Sequence, residues 1–311
     1  MANRQINGWL SQMNDAPAEP LPAVKPEPTP MEATREWVVF ICGIALCGLS
    51  FLVIEGWLLS PRGSFGPTIL QAAQPGPAVV AMALALGVCF IIAVGVARLL
   101  KSPNKGLVVV GLGLGWLAWR LKGVETIAFS GSFSVLAIEG LIWTAVVLVM
   151  VVGVFAAGGS LQYVQPRAGN QRLDDWAASK SAGILVLCGL CALPVAWLFA
   201  QSPLRGQALA AATLGAMAVG IVGRLSAPHA QPILLFMAPV LAATLAQWVL
   251  AVTMPAEQLA TLFVQGEFPH LLIPVPIDWV AGSFMGVAWG YYIGNAFLHH
   301  EPDDAQLQQA A

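Results

Sequence analysis

Apolar positions in this chain follow neither the 3.6-residue period of an amphipathic helix nor strand alternation. They come in unbroken blocks separated by short polar breaks, at 37–59, 77–97, 106–122, 133–157, 182–200, 207–223, 232–254 and 278–298. A hydrocarbon core of about 30 Å takes roughly 17 to 25 apolar residues in helical form. Backbone groups in lipid must be satisfied internally, which selects helices for runs of this kind, whereas barrel strands would alternate. The pattern predicts an all-α integral membrane protein of about eight transmembrane helices. The third block is the most polar, because Arg120 and Lys122 close it and must snorkel to the interface. The sixth is short but uninterrupted.

The polar segments complete the plan. Residues 1–36 are proline-rich, with "DAPAEPLPAVKPEPTP" from Asp15 to Pro30, and lack the apolar content to fold. They read as a flexible, partly polyproline tail, a plain tether or a recruiting segment. The tail is too long and polar for the start of an ordinary signal peptide, so the first helix reads as a retained anchor. With eight spans, the tail, the even-numbered loops and 299–311 share one side. That side carries Arg4, Lys25, Arg35, Arg98, Lys101, Lys105, Arg167, Arg172, Lys180 and Arg224, against Arg62, Arg120, Lys122 and Arg205 on the other. The positive-inside bias then places both termini in the cytoplasm of a bacterial-type cell membrane.

An echo divides the chain. Leu46-Cys47-Gly48-Leu49 matches Leu187-Cys188-Gly189-Leu190, and Trp57-Leu58 matches Trp197-Leu198. Ser60-Pro61-Arg62-Gly63 matches Ser202-Pro203 with Arg205-Gly206, and Ala93-Val94-Gly95-Val96 matches Ala218-Val219-Gly220-Ile221. Ile138-Glu139 answers Ile277-Asp278. Each match is cheap in a chain so rich in Leu, Ala, Gly and Val; their common order points to a duplication. The halves are 37–157 and 182–298, joined by a cytoplasmic linker at 158–181. Four helices each, an even number, makes the repeat parallel, with its axis along the membrane normal.

Composition agrees with lipid as the solvent: 58% of the 311 residues are hydrophobic and 10% charged, against about 25% charged in soluble domains. A net charge of −2 without a basic run excludes nucleic acid as a partner. All five cysteines lie in apolar stretches, so they form no disulfide framework. Cys188-x-x-Cys191 has no second pair or nearby histidine to make a zinc site, and reads as packing.

The last helix carries Gly282, Gly286, Gly290 and Gly294, four apart and so along one face. Such a groove lets backbones approach closely in lipid, either inside the bundle or against a protein partner. Gly111, Gly113 and Gly115 form a lesser version, and Pro194 and Pro239 should kink their helices. Ionisable residues within spans are the default functional candidates. These are Glu55, Glu139 and Asp278, all toward the outer side, with Glu139 the deepest. With Glu257 and Glu267 they would make that side acidic, as a cation-attracting vestibule or as capping and hydrated interfacial carboxylates. Thr144, Thr213, Thr244, Gln247 and Asn295 are expected to hydrogen-bond between helices. The apolar loop 255–277 is expected to hold a short amphipathic helix anchored by Phe263, Phe268, Leu271, Leu272 and Ile273.

No P-loop, G-x-S-x-G or H-E-x-x-H occurs, and nothing implies a metal or a cofactor. Three classes remain: a structural or assembly subunit of a membrane complex, a small-solute channel or transporter, and a membrane enzyme. Its predicted partners are the bilayer and, through the groove, other membrane proteins.

Overall fold

The computed structural model describes residues 29–61, 63, 65–66, 68–129, 133–159, 161, 180–228 and 230–298. These form eleven α-helices and four short 3₁₀ turns. The only extended pairing among the described residues is an isolated bridge between Leu59 and Phe65. Most of the predicted tail and linker, and all of 299–311, lie outside the described residues.

The chain divides into two compact units, Met1–Trp37 and Val38–Ala311. The described part of the first is the start of helix α1, Pro30–Ile54, seven residues earlier than the apolar block. A capping box moves the boundary: Thr29 N donates to Glu32 Oε2 at 2.9 Å, and Glu32 N to Thr29 Oγ1 at 3.4 Å. Two of the helix's orphan N–H groups are thereby satisfied, with Pro30 as first helical residue.

The second unit is a bundle. After α1 come α2 (Pro75–Leu99), α3 (Pro103–Arg120), the short α4 (Glu125–Ala128) and α5 (Phe133–Gly158). Then follow α6 (Lys180–Cys188), α7 (Ala192–Phe199), α8 (Arg205–Ser226), α9 (Ile233–Thr253), α10 (Ala256–Gln265) and α11 (Pro276–Leu298). Six helices are long and apolar enough to cross a membrane: Pro30–Leu58, Pro75–Leu99, Phe133–Gly158, Ser181–Phe199, Arg205–Ser226 and Ile233–Thr253. The chain thus has the build of a multi-pass membrane protein.

The two predicted spans missing from that set, α3 and α11, are the innermost helices. Buried positions make up 13 of 18 residues in α3 and 16 of 23 in α11, against 4 of 25 in α1. A helix facing lipid must be oily on its outside, whereas one enclosed by other helices is selected for small residues and close fit. Enclosure therefore explains the lower hydropathy. The glycines of α3 each admit a different neighbour. A Cβ on Gly111 would stand 2.8 Å from Phe284 Cβ of α11, and one on Gly113 2.7 Å from Cys47 Cβ of α1.

The fifth block is not one continuous α-helix. A 3₁₀ turn, Gly189–Cys191, separates α6 from α7. Pro194 has no N–H to offer the Leu190 carbonyl four residues back, so the ladder tightens there. Pro239, by contrast, sits inside an unbroken α9.

Exposed Trp57, Trp119, Trp197 and Trp248 ring the end of the bundle that carries Asp278, while Trp289 and Tyr292 lie toward the opposite end. Amphipathic rings at two levels are what a membrane's two interfaces select.

Candidate functional site

The ionisable groups within the bundle collect at its two ends. At the Asp278 end, α11 begins with Pro276, and Asp278 in its first turn accepts the Val275 N–H at 2.9 Å. Its other partner comes from α8: Arg205 Nη1 and Nη2 donate to the two carboxylate oxygens at 2.9 and 2.6 Å. The guanidinium also donates from Nε and Nη2 to the Ala118 carbonyl at 3.0 and 2.6 Å. One arginine thus ties the start of α8 to the start of α11 and the end of α3. The expectation of a simple interfacial cap at Asp278 misses the arginine.

Glu55 follows the same logic nearer the surface. Arg120 Nε donates to its Oε1 at 2.8 Å, with Nη2 at 2.7 Å, joining the ends of α1 and α3. Two of the three candidate carboxylates are therefore neutralised in place, and the structure does not bring the three into one acidic cluster. Arg120, expected to snorkel, is instead held by a carboxylate.

Glu139 is different. It is 3% exposed, nearly two turns into α5. Oε1 accepts Trp143 Nε1 at 3.2 Å and Oε2 accepts the Leu70 N–H at 3.4 Å. Leu70 belongs to the 3₁₀ turn Ile69–Gln71, in the segment between α1 and α2. Neither donor carries a charge.

The glycine groove is filled from within the chain. Cβ atoms on Gly282 and Gly294 would lie 2.8 Å from Ala212 C and 2.9 Å from Arg224 Cβ. Those on Gly286 and Gly290 would meet the carbonyl oxygens of Thr213 and Met217. All four neighbours are on α8, whose own Gly220 faces Tyr291 N at 2.7 Å in return. The close approach predicted for the groove is present, and its occupant is α8.

At the opposite end Arg224 is buried. It donates to the Pro228 carbonyl, to Tyr291 Oη at 3.2 Å and to Asn295 Oδ1 at 2.6 Å, with the Tyr291 ring centroid 5.1 Å from Cζ. Sequence reasoning placed Arg224 as a topology signal and, with Leu225 and Pro228, as the match of Arg98, Leu99 and Pro103 in the echo; neither reading gave a hint of burial.

The uncharged polar residues divide. Gln247 Nε2 donates to the Pro274 carbonyl at 2.8 Å, and Asn295 joins α11 to α8 as expected. Thr144, Thr213 and Thr244 depart from expectation, for each hydroxyl donates to the carbonyl four residues back in its own helix. In an apolar medium that carbonyl is the nearest acceptor, and the local bond wins. The 255–277 loop forms amphipathic α10 and a return containing the 3₁₀ turn His270–Leu272, with Phe268, Leu272 and Ile273 buried and Phe263 against Phe129 at 5.6 Å. Comparison with protein families, curated proteins and solved structures found no match.

Proposed function

We propose that this protein is a structural or assembly subunit of a membrane complex, an eight-helix protein of a bacterial-type cytoplasmic membrane with both termini in the cytoplasm. The observation that carries the reading is the filled seam between the halves. Phe155 of the first half meets Phe236 of the second at 6.5 Å, Phe236 meets Phe284 behind it at 6.4 Å, all three rings tilted and fully buried, and Gly140 of α5 lies against Thr244 of α9. A solute path would need polar, hydrated groups at that depth. Among the described residues, the pairs Arg205–Asp278 and Glu55–Arg120 and the buried Arg224 stand at the ends of the bundle, where they tie helices together. A partner helix would use a face other than the glycine groove, which α8 occupies.

A parallel duplication gives this architecture its simplest origin. Under it, α1, α2, α3 and α5 correspond to α6–α7, α8, α9 and α11. Two features support it. Between the halves, α3 packs on α11 and α5 on α9; exchanging the halves turns one contact into the other, as a two-fold axis requires. Short helices α4 and α10 occupy the same place in each half, before the fourth helix, and pack against each other.

Affinity purification of the full chain in mild detergent tests the assembly reading. A stoichiometric membrane partner is expected. A chain that purifies alone and carries a solute across proteoliposomes would replace it with the transport reading.

A further inference from the structure

We propose that Glu139 and Thr68 form a proton-binding site beneath the 3₁₀ turn Ile69–Gln71, the carboxyl carrying the proton and Thr68 Oγ1 accepting it in a hydrogen bond. The site stands independently of the assembly reading.

Both oxygens of Glu139 are fixed by neutral N–H donors, Trp143 Nε1 and Leu70 N. The elements packed against α5 are α2, α3, α9, α11 and the 3₁₀ turn. Helix α9 and the turn contain no titratable side chain. In α2 these are Cys89 and Arg98, and Arg98 donates to the Ala157 carbonyl at the far end of α5. In α3 they are Lys105, also at the far end, and Arg120, which holds Glu55. Asp278 of α11 is engaged by Arg205, and Tyr291 and Tyr292 lie toward the Arg224 end. No cation among the described residues pairs with Glu139. A buried carboxylate without a counter-charge is so costly that it takes up a proton.

A carboxylic acid then needs an acceptor for its O–H, and the structure supplies one. Thr68 is 1% exposed, its side chain stands within hydrogen-bonding reach of the Glu139 carboxyl, and among the described residues its Oγ1 has no other partner. As the residue preceding the turn, Thr68 would ordinarily cap it with its side chain, yet it makes no such bond. Glu139 receives the turn's Leu70 N–H instead, which leaves the threonine oxygen to receive the proton. The matched position in the second half, Asp278, is neutralised by a guanidinium; here the neutralising group is H⁺.

The test is infrared difference spectroscopy of the full purified chain in lipid nanodiscs as pH is raised. A protonated carboxyl band at neutral pH is expected, lost at alkaline pH and absent in Glu139→Gln. Thr68→Val should shift the band without removing it, which keeps the test decisive if Glu139→Gln fails to fold. The proposal is overturned if no such band is present in the wild-type chain at neutral pH, if Thr68→Val leaves it unmoved, or if sodium at fixed pH displaces it. It is equally overturned if the band arises only on Arg62→Gln, which would make that arginine, outside the described residues, the neutralising group.

Discussion

Arg205 and Asp278, 73 positions apart in the chain, hold each other in a two-pronged pair at 2.6 and 2.9 Å, with Asp278 fully enclosed. Removing one member of such a pair strands the other in a medium that cannot solvate it, at a cost of about 3–5 kcal/mol. Asp278→Ala is therefore expected to lower thermal stability in detergent sharply. Arg205→Met combined with Asp278→Leu should recover a large part of the loss, because the pair's attraction is offset by the desolvation of both charges. A double variant as unstable as Asp278→Ala would mean that the contact to the Ala118 carbonyl matters more than charge balance.

The Glu55–Arg120 pair has similar distances but a different setting, since the Arg120 side chain is 45% exposed. Water and salt screen it, and exposed pairs contribute at most about 1 kcal/mol. Glu55→Gln should shift the melting temperature little. A loss as large as that of Asp278→Ala would show the end of α1 to be far drier than its exposure implies.

On α11 the groove has no room for a side chain. A Cβ at position 286 would already meet the Thr213 carbonyl of α8. Gly286→Leu is expected to cost at least the ~3 kcal/mol at the upper end of overpacking effects, seen as loss of monodisperse protein on size exclusion. Gly87 of α2 is the control: it is exposed and meets nothing within 4 Å, so Gly87→Leu should be silent.

Much of this was legible from residues alone. Hydropathy marks the lipid-facing helices because lipid imposes a uniform demand on their outer surfaces. It ranks α3 and α11 poorly for the opposite reason, since both are enclosed, yet the glycine spacing of α11 exposes its need for a close neighbour. Which helix fills the groove depends on three-dimensional packing, and the small residues of α8 do not distinguish it from other candidates. The carboxylates were visible as Glu55, Glu139 and Asp278. Their arginines were not, because Arg120 and Arg205 lie 65 and 73 positions away and read as topology signals at helix ends. Thr68 was invisible for a related reason: its significance lies in a hydroxyl left without a partner other than Glu139.

Topology gives the broadest prediction. If the Asp278 end faces outward, a reporter fused after Arg62 should be active only in its extracytoplasmic form, and one fused after Arg172 only in its cytoplasmic form. The argument rests on counting: ten Lys and Arg on the side of the Arg172 segment against four on the other, a bias that acts through short loops near helix ends. Buried pairing complicates it. Arg205 is bound to a carboxylate inside the bundle and Arg224 to Asn295 on the other side, so each restrains translocation of its loop less than a free cation would, and the asymmetry becomes nine against three. Removing Arg98, Lys101 and Lys105 together should therefore weaken the orientation more than removing Arg120 and Lys122 alters it. Matching reporter signals at both fusion sites would require an even number of crossings between them, where the four-plus-four arrangement has three, and would dismantle it.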